Sequence, residues 1–183
     1  MSSDIIRTLR RIGTVASALA IVTVLAACQV RPLYGESSTT GAELASVAFS
    51  DATNRVEQVV RNQLIFLSTG GKGEATNPAY QVNLTVVSIY SDILDDESAS
   101  ALQPGRVVVS GNYTLTRLSD GVVIGSGAKK ATALLDISRQ EFAEVRAVRD
   151  AENRAARELA EFINADLALK LVNQPPPPMT WQK

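Results

Sequence analysis

The chain has 183 residues and a formal net charge of −1, with one cysteine and no histidine. This near-neutral charge argues against the clustered basic surface that nucleic-acid binding requires, so we expect no nucleic acid among its partners. Without histidine the chain lacks the commonest general base and the commonest zinc ligand. We therefore expect no catalytic residues, no metal site and no cofactor.

The first residues have the pattern of a secretory signal. Arg7, Arg10 and Arg11 form a basic region, and residues 12–27 are uncharged and rich in small apolar side chains. Those 16 residues are fewer than the ~20 that a permanent transmembrane helix needs. The pattern predicts that this segment is removed from the mature chain.

The signal ends with Leu25, Ala26, Ala27 and Cys28, a run that resembles the lipobox of bacterial lipoproteins. The resemblance implies that the Cys28 thiol is acylated and that Cys28 becomes the first mature residue. Two or three acyl chains suffice for stable anchoring. We interpret residues 1–27 as a lipoprotein signal peptide and residues 28–43 as a lipidated tether. The alternative is an ordinary signal peptide with an incidental cysteine.

The next segment predicts a strand followed by a helix. Residues 44–49 favour a short first strand, and Ser50 or Asp51 can cap the helix that follows. Gly70 and Gly71 are expected to end that helix. Its buried face is predicted from apolar residues spaced three or four apart, namely Val56, Val59, Val60, Leu64 and Leu67.

Three further strands are predicted after Tyr80. Residues 80–86 and 107–116 alternate between apolar and polar side chains, and an acid-rich loop at 92–105 separates them. Asp120 and Gly121 indicate a hairpin into a strand at 122–135. Gly125 and Gly127 in that strand suggest a bulge or a close approach of another backbone.

A long helix is predicted at the end of the domain. Ser138 and Glu141 form a capping box, and Ile137 and Phe142 occupy the positions of a hydrophobic staple. A helix reaching residue 172 would be about 50 Å long at ~1.5 Å per residue, so we expect it to overhang the sheet or to bend near Asp166. Residues 173–183 contain four consecutive prolines and are predicted to form a disordered tail.

These elements predict an α+β fold for residues 44–172. The order β-α-β-β-β-α, with two amphipathic helices and strands that are polar on one side, favours a two-layer sandwich of two helices on a four-stranded mixed sheet. The first strand-helix-strand unit is expected to form a crossover, and the later strands an antiparallel meander.

Two charged sets are candidate binding residues. Asp92, Asp95, Asp96 and Glu97 could hold a hard cation, but their spacing does not match a calcium loop, and a solvated loop is the preferred interpretation. The cations of the later strands could bind the phosphates of an anionic ligand, or the lysines could guard a sheet edge against aggregation. This second set is Lys129, Lys130, Arg106 and Arg117.

The mature N-terminus carries a further resemblance. Residues 28–35 read Cys-Gln-Val-Arg-Pro-Leu-Tyr-Gly, which resembles the start of the lipopolysaccharide-assembly lipoproteins of the LptE family, particularly their alphaproteobacterial branch. Gln29 and Val30 depart from the Gly-Phe that follows the cysteine in many members. A residue other than aspartate directly after the lipidated cysteine resembles the sorting signal for delivery to the outer membrane, and Gln29 fits that pattern.

The resemblance implies a lipoprotein on the periplasmic face of the outer membrane. Members of the family sit inside the LptD β-barrel translocon as its plug and assembly partner, and they are implicated in binding lipopolysaccharide. For this chain, the implied partners are LptD, lipopolysaccharide and the membrane. The alternative is an auxiliary lipoprotein of an ABC-type lipid transporter. An envelope enzyme is disfavoured because the chain has no histidine and no second cysteine.

Overall fold

The computed structural model describes residues 39–92, 103–137 and 140–174. It contains three helices and four strands: α1 (Thr39–Leu44), β1 (Val47–Phe49), α2 (Arg55–Thr69), β2 (Tyr80–Asp92), β3 (Gln103–Arg117), β4 (Val123–Ile137) and α3 (Glu141–Val172). The predicted α+β fold is confirmed, with the short helix α1 added before the first strand. The predicted signal peptide, Cys28, the acidic residues Asp95, Asp96 and Glu97, and the proline-rich segment lie outside the described residues.

The sheet is mixed, as predicted. Its strand order is β1-β2-β3-β4, with β1 parallel to β2 and the other neighbours antiparallel. Helix α2 lies between the two parallel strands in the chain, and a turn at residues 118–122 connects β3 to β4. The two long helices pack on the same face of this sheet. The result is a two-layer sandwich whose second sheet face carries no helix from the described residues.

The strands are longer than their alternation predicted. β2 continues to Asp92, and β3 begins at Gln103, three residues before the predicted start at Arg106. Strands of 13 to 15 residues extend for about 43 to 50 Å, similar to the ~48 Å of the 32-residue helix α3. The helix therefore matches the strand length and continues through Asp166 as one element.

Both long helices begin later than the sequence predicted. Ser50 does not cap α2, because its Oγ accepts a hydrogen bond from the Leu84 backbone N–H at 3.0 Å. Asn54 caps the helix instead, accepting from the Glu57 N–H, and Gly70 ends it at a φ of +63° as predicted. The cap of α3 is Gln140, two residues after Ser138, which lies outside the described residues. The predicted hydrophobic staple is wrong, since Phe142 is 87% exposed.

The core lies between the sheet and the two long helices. Alternate residues of the central strands point into it, and the buried face of α3 covers them. The sheet and the helix core residues come close at Gly111, where a Cβ atom would lie 3.2 Å from Leu159 Cδ2. Fully buried contributors include Leu64, Val82, Val107, Leu115, Leu159, Ile163 and Leu167. Burial of each such side chain stabilises the fold by about 1.5 to 3 kcal/mol.

The glycines of β4 confirm the suggested bulge, and the close approach at Gly127 is of a side chain and not of another backbone. Leu115 pairs with Gly125 while Thr116 pairs with Val123, so Ile124 is the extra residue of a bulge. At Gly127 a Cβ atom would lie 2.7 Å from the ring of Tyr113. Absence of a side chain at this position therefore lets the tyrosine lie across the strand.

We predict that Gly127→Ala destabilises the chain by about 1 to 3 kcal/mol, because the buried Tyr113 ring has no room to move away. Urea unfolding would measure the change. Gly125→Ala is the matched control: its Cβ would meet only the flexible end of Lys170 at 2.9 Å, so its loss should be smaller. Equal losses for the two variants would show that Tyr113 does not confer the requirement for glycine.

Candidate functional site

The face of the sheet that points away from the helices, which we name the open face, carries the candidate site. Its side chains alternate with the core residues along β2, β3 and β4, and most are exposed or half-buried. Paired residues of neighbouring strands form rows across it. Since no described helix covers this face, its side chains are available to a ligand or partner.

One half of the open face is apolar. Val87 is 53% exposed, Ile89 61% and Leu134 64%. Val108 lies between the last two, since it pairs with Ile89 on one side and with Thr132, two residues from Leu134, on the other. We name these four residues the apolar zone. Single exposed apolar residues are ordinary, but a contiguous group on one face marks a surface for binding.

Two of the four predicted cations flank the apolar zone. Arg106 is exposed in the same row as Leu134, and its Nε donates to Ser91 Oγ at 3.1 Å. Lys130 is exposed in the row that contains Val87. Strand spacing puts the two positions about 14 Å apart. The apolar zone therefore has a positive charge at each end.

The other half of the open face is polar. A shallow hollow of about 510 Å³ begins beyond the row of Lys130. Amide and hydroxyl side chains line it, and such groups can both donate and accept hydrogen bonds. Its lining residues are Asn83, Thr85, Asn112, Tyr113, Thr114, Ser126, Gly127 and Ala128. The open face thus combines apolar, cationic and hydrogen-bonding regions along one direction.

Lys129 lies on the opposite side of β4 from Lys130, because adjacent strand residues point to opposite faces. Its Nζ is 3.5 Å from Asp166 Oδ2 on α3, and Lys170 Nζ is 3.8 Å from the same oxygen. The Tyr113 hydroxyl also donates a hydrogen bond to Asp166. Lys129 therefore belongs to a polar cluster that attaches the helix to the sheet edge.

The charges in this cluster shift two pKa values. Burial alone would raise the pKa of Asp166, but the hydrogen bond from Tyr113 and the charges of Lys170 and Lys129 outweigh burial and lower it. The pKa of Tyr113 is raised by burial and by its hydrogen bond to the Asp166 carboxylate. Asp166 is therefore ionised and Tyr113 neutral near pH 7, which maintains the cluster.

Arg117 also lies on the helix side of the sheet. It is buried, and its Nη1 contacts Asp120 Oδ2 at 3.0 Å while its Nη2 donates to Gln174 Oε1 at 3.1 Å. Gln174 in turn donates to Tyr80 and to Glu43. These bonds join the end of α3 to α1, β2 and β3. The structure thus brings Arg106 and Lys130 to the open face and engages Lys129 and Arg117 in ion pairs elsewhere.

Sequence reasoning missed the apolar zone. Ile89 and Leu134 occupy positions where the alternation calls for a polar side chain, and Val87 follows the buried Val86 directly. Those breaks in the alternation were the available signal. Within residues 39–92, 103–137 and 140–174, no group of three or more acidic, cysteine or histidine side chains could hold a metal ion. In the same ranges, no helix is long and apolar enough to cross a membrane.

Solved bacterial lipoproteins share this fold. A candidate lipoprotein of Caulobacter crescentus CB15 is 22% identical, with a TM-score of 0.58 over 74% of this chain and 97% of that chain. Rare lipoprotein B of Shewanella oneidensis is 14% identical, with a TM-score of 0.52 over 70% and 96% of the two chains. A minor lipoprotein of Acinetobacter baumannii is 12% identical, with a TM-score of 0.50 over 72% and 94%.

At these identities the likeness establishes the fold alone. No protein-family model matches the chain, and no curated protein sequence matches it. The class that the coordinates define is therefore an α+β sandwich of the type found in bacterial lipoproteins.

We predict that Asp166→Asn destabilises the chain by about 1 to 3 kcal/mol at pH 7, because Tyr113 and two lysines lose a charged partner. A carboxylate with a lowered pKa stabilises the fold above its ordinary pKa, and this contribution disappears as pH falls through the lowered value. The difference between wild type and variant should therefore shrink in acid. Urea unfolding at neutral and acidic pH would measure it.

Asp150→Asn is the control for that experiment. Asp150 makes an exposed pair with Arg154 at 2.9 Å, and such pairs contribute about 0 to 1 kcal/mol. An Asp166→Asn effect no larger than that of Asp150→Asn would contradict a stabilising role for the cluster.

Proposed function

We propose that this chain is a bacterial envelope lipoprotein anchored by acyl chains on Cys28. The support is the basic and apolar signal, the lipobox-like run that ends at Cys28, and a fold that solved lipoproteins share. In this proposal the sandwich projects from the membrane on a short tether. The chain acts by binding, with no catalytic step and no cofactor besides its lipid.

We further propose that it supports lipopolysaccharide transport and assembly on the periplasmic face of the outer membrane, as plug and partner of the LptD β-barrel. The resemblance of residues 28–35 to the LptE family introduces this function. The observation that carries it is the apolar zone between Arg106 and Lys130 on an uncovered sheet face.

The chemistry of the open face suits lipopolysaccharide. Acyl chains can lie against Val87, Ile89 and Leu134, while phosphates meet Arg106 or Lys130. A guanidinium presents a planar set of donors to phosphate, and a lysine meets it as a point charge. The neighbouring polar hollow offers amides and hydroxyls to sugar hydroxyl groups. An amphiphile of this kind would lie along the strands.

An auxiliary lipoprotein of an ABC-type lipid transporter is the second candidate. An amphipathic open face would serve that function too, because such a transporter also handles lipids with anionic headgroups. The two candidates differ in membrane and in partner. Fractionation of inner and outer membranes, together with the identity of the bound protein, separates them.

Charge reversal tests the ligand. Lys130→Glu and Arg106→Glu should each weaken binding of purified lipopolysaccharide about three- to tenfold at low salt, which corresponds to the loss of one exposed ion pair. The difference should shrink at high salt, because salt screens exposed charges. Arg157→Glu, on the exposed surface of α3, is the control for net charge and should bind like wild type.

Ile89→Asn examines the apolar contribution separately. Ile89 is largely exposed, so the variant should fold normally and weaken binding equally at low and high salt. Unchanged binding in Ile89→Asn and in both charge reversals would exclude the open face as the lipopolysaccharide site.

A further inference from the structure

The outer edge of β4 has no neighbouring strand among the described residues. β4 is the last strand in the order, and among the described residues it pairs only with β3. Its 15 residues make it as long as β3. The opposite edge of the sheet is different, since β1 and the side chains of Ser50 and Asn54 bond to β2 there. An uncovered edge presents a row of backbone groups that another strand can pair with.

The direction of those backbone groups can be assigned from one contact. Arg154 Nη2 donates to the Leu134 carbonyl oxygen at 3.0 Å, so this carbonyl points away from β3. Backbone groups of alternate strand residues point to the same side. The N–H and C=O groups of Ser126, Ala128, Lys130 and Thr132 therefore also point outward, and in the described part of the chain no hydrogen bond to them is found.

Two exposed apolar side chains of α3, Phe162 and Leu169, lie above this edge, and we name them the apolar lip. Asp166 contacts Lys129 of β4, which places that side of the helix at the edge. Phe162 and Leu169 are four and three residues from Asp166, so they lie on the same side of α3. They are 43% and 54% exposed. A strand added beside β4 would bring alternate side chains beneath this lip and cover both residues.

The edge is also positively charged at its middle. Lys129, Lys130 and Lys170 lie there, and the Asp166 carboxylate offsets one of their three charges. Lys129 and Lys170 share that carboxylate on the helix side. Lys130 points to the open face and makes no ion pair within the described residues. Directly opposite residues of paired strands share a face, so an acidic residue there would meet Lys130.

We propose that the free edge of β4, residues 126–132, binds an extended segment of a partner protein by strand addition. An acidic residue of that segment lies opposite Lys130, and apolar residues on alternate positions pack against Phe162 and Leu169. The free stretch is about 20 Å long, which suits a partner segment of about seven residues. Backbone bonds supply affinity, and the alternate side chains supply specificity.

A second copy of the chain fits this edge less well. Antiparallel pairing of residues 126–132 with the same stretch would place the lysines of both copies against each other, and like charges in that position destabilise a sheet. A register shifted toward residue 134 would need the Leu134 carbonyl, which Arg154 already occupies, and a register shifted toward residue 126 would shorten the paired stretch. The charges therefore favour a different, acidic partner. This proposal uses the edge of the sheet and does not depend on lipopolysaccharide binding at the open face.

A synthetic peptide, Thr-Val-Asp-Val-Thr-Leu-Thr, serves as the probe against the full chain in detergent micelles. Run antiparallel to residues 126–132, it puts its aspartate opposite Lys130 and its valines and leucine beneath the lip. Amide hydrogen exchange by NMR is the readout. At a peptide concentration ten times the Kd, exchange at Ala128, Lys130 and Thr132 should slow about elevenfold, while Lys129 and Ala131, already bonded to β3, should change little.

Three variants sharpen this test. Thr132→Pro removes one outward N–H without breaking a bond to β3, so it should fold and bind poorly. Lys130→Glu should weaken binding of the aspartate peptide about two- to fivefold. It should strengthen binding of a peptide with lysine in place of the aspartate by a similar factor. Arg146→Glu, exposed near the start of α3, is the charge control and should leave both affinities unchanged.

Two results would overturn the proposal. The first is the absence of new protection at Ala128, Lys130 and Thr132 with saturating peptide, or equal binding of a peptide whose backbone nitrogens are methylated. The second is protection of the same amides that rises with protein concentration when no peptide is present. That second result would assign the edge to a second copy.

Discussion

The packing of α3 along β3 and β4 is the constraint on which the other features depend. Leu159, Ile163 and Leu167 fill the space above the central strand, and Gly111 lets the helix approach it. Because the described helices cover one face of the sheet only, the alternating strands have one buried face and one open face. The same placement brings α3 to the sheet edge, where its exposed side lies above β4. The open face and the free edge are two consequences of one packing arrangement.

Polar clusters at two places fix the helix against the strands. Asp166 joins α3 to Tyr113 and Lys129, while Gln174 joins its end to Arg117 and Tyr80. These bonds use two of the four cations that could have met an anionic ligand. A charged residue on a strand therefore has a binding role only where the fold leaves it exposed. On this sheet that condition selects Arg106 and Lys130.

Sequence patterns predicted the structural features that depend on residues close along the chain. They missed side-chain contacts between residues that are far apart along it. Gly70 ends its helix because of its own conformational freedom, alternation located two of the strands, and the Asp120-Gly121 turn indicated a third. Ser50 failed as a cap because its hydroxyl bonds Leu84 in another element. Arg117 looked available, but it is buried and bonds Gln174, 57 residues away, as well as Asp120. Leu44, predicted to be in the first strand, instead ends α1 and is buried there.

The membrane protein that copurifies with the chain tests its proposed role most directly. A tagged full chain would be purified separately from detergent-solubilised inner and outer membranes. The account predicts recovery from the outer membrane, with a large β-barrel protein and lipopolysaccharide in the same complex. Recovery from the inner membrane with subunits of an ABC-type transporter, or from either membrane without an integral membrane protein, would contradict it.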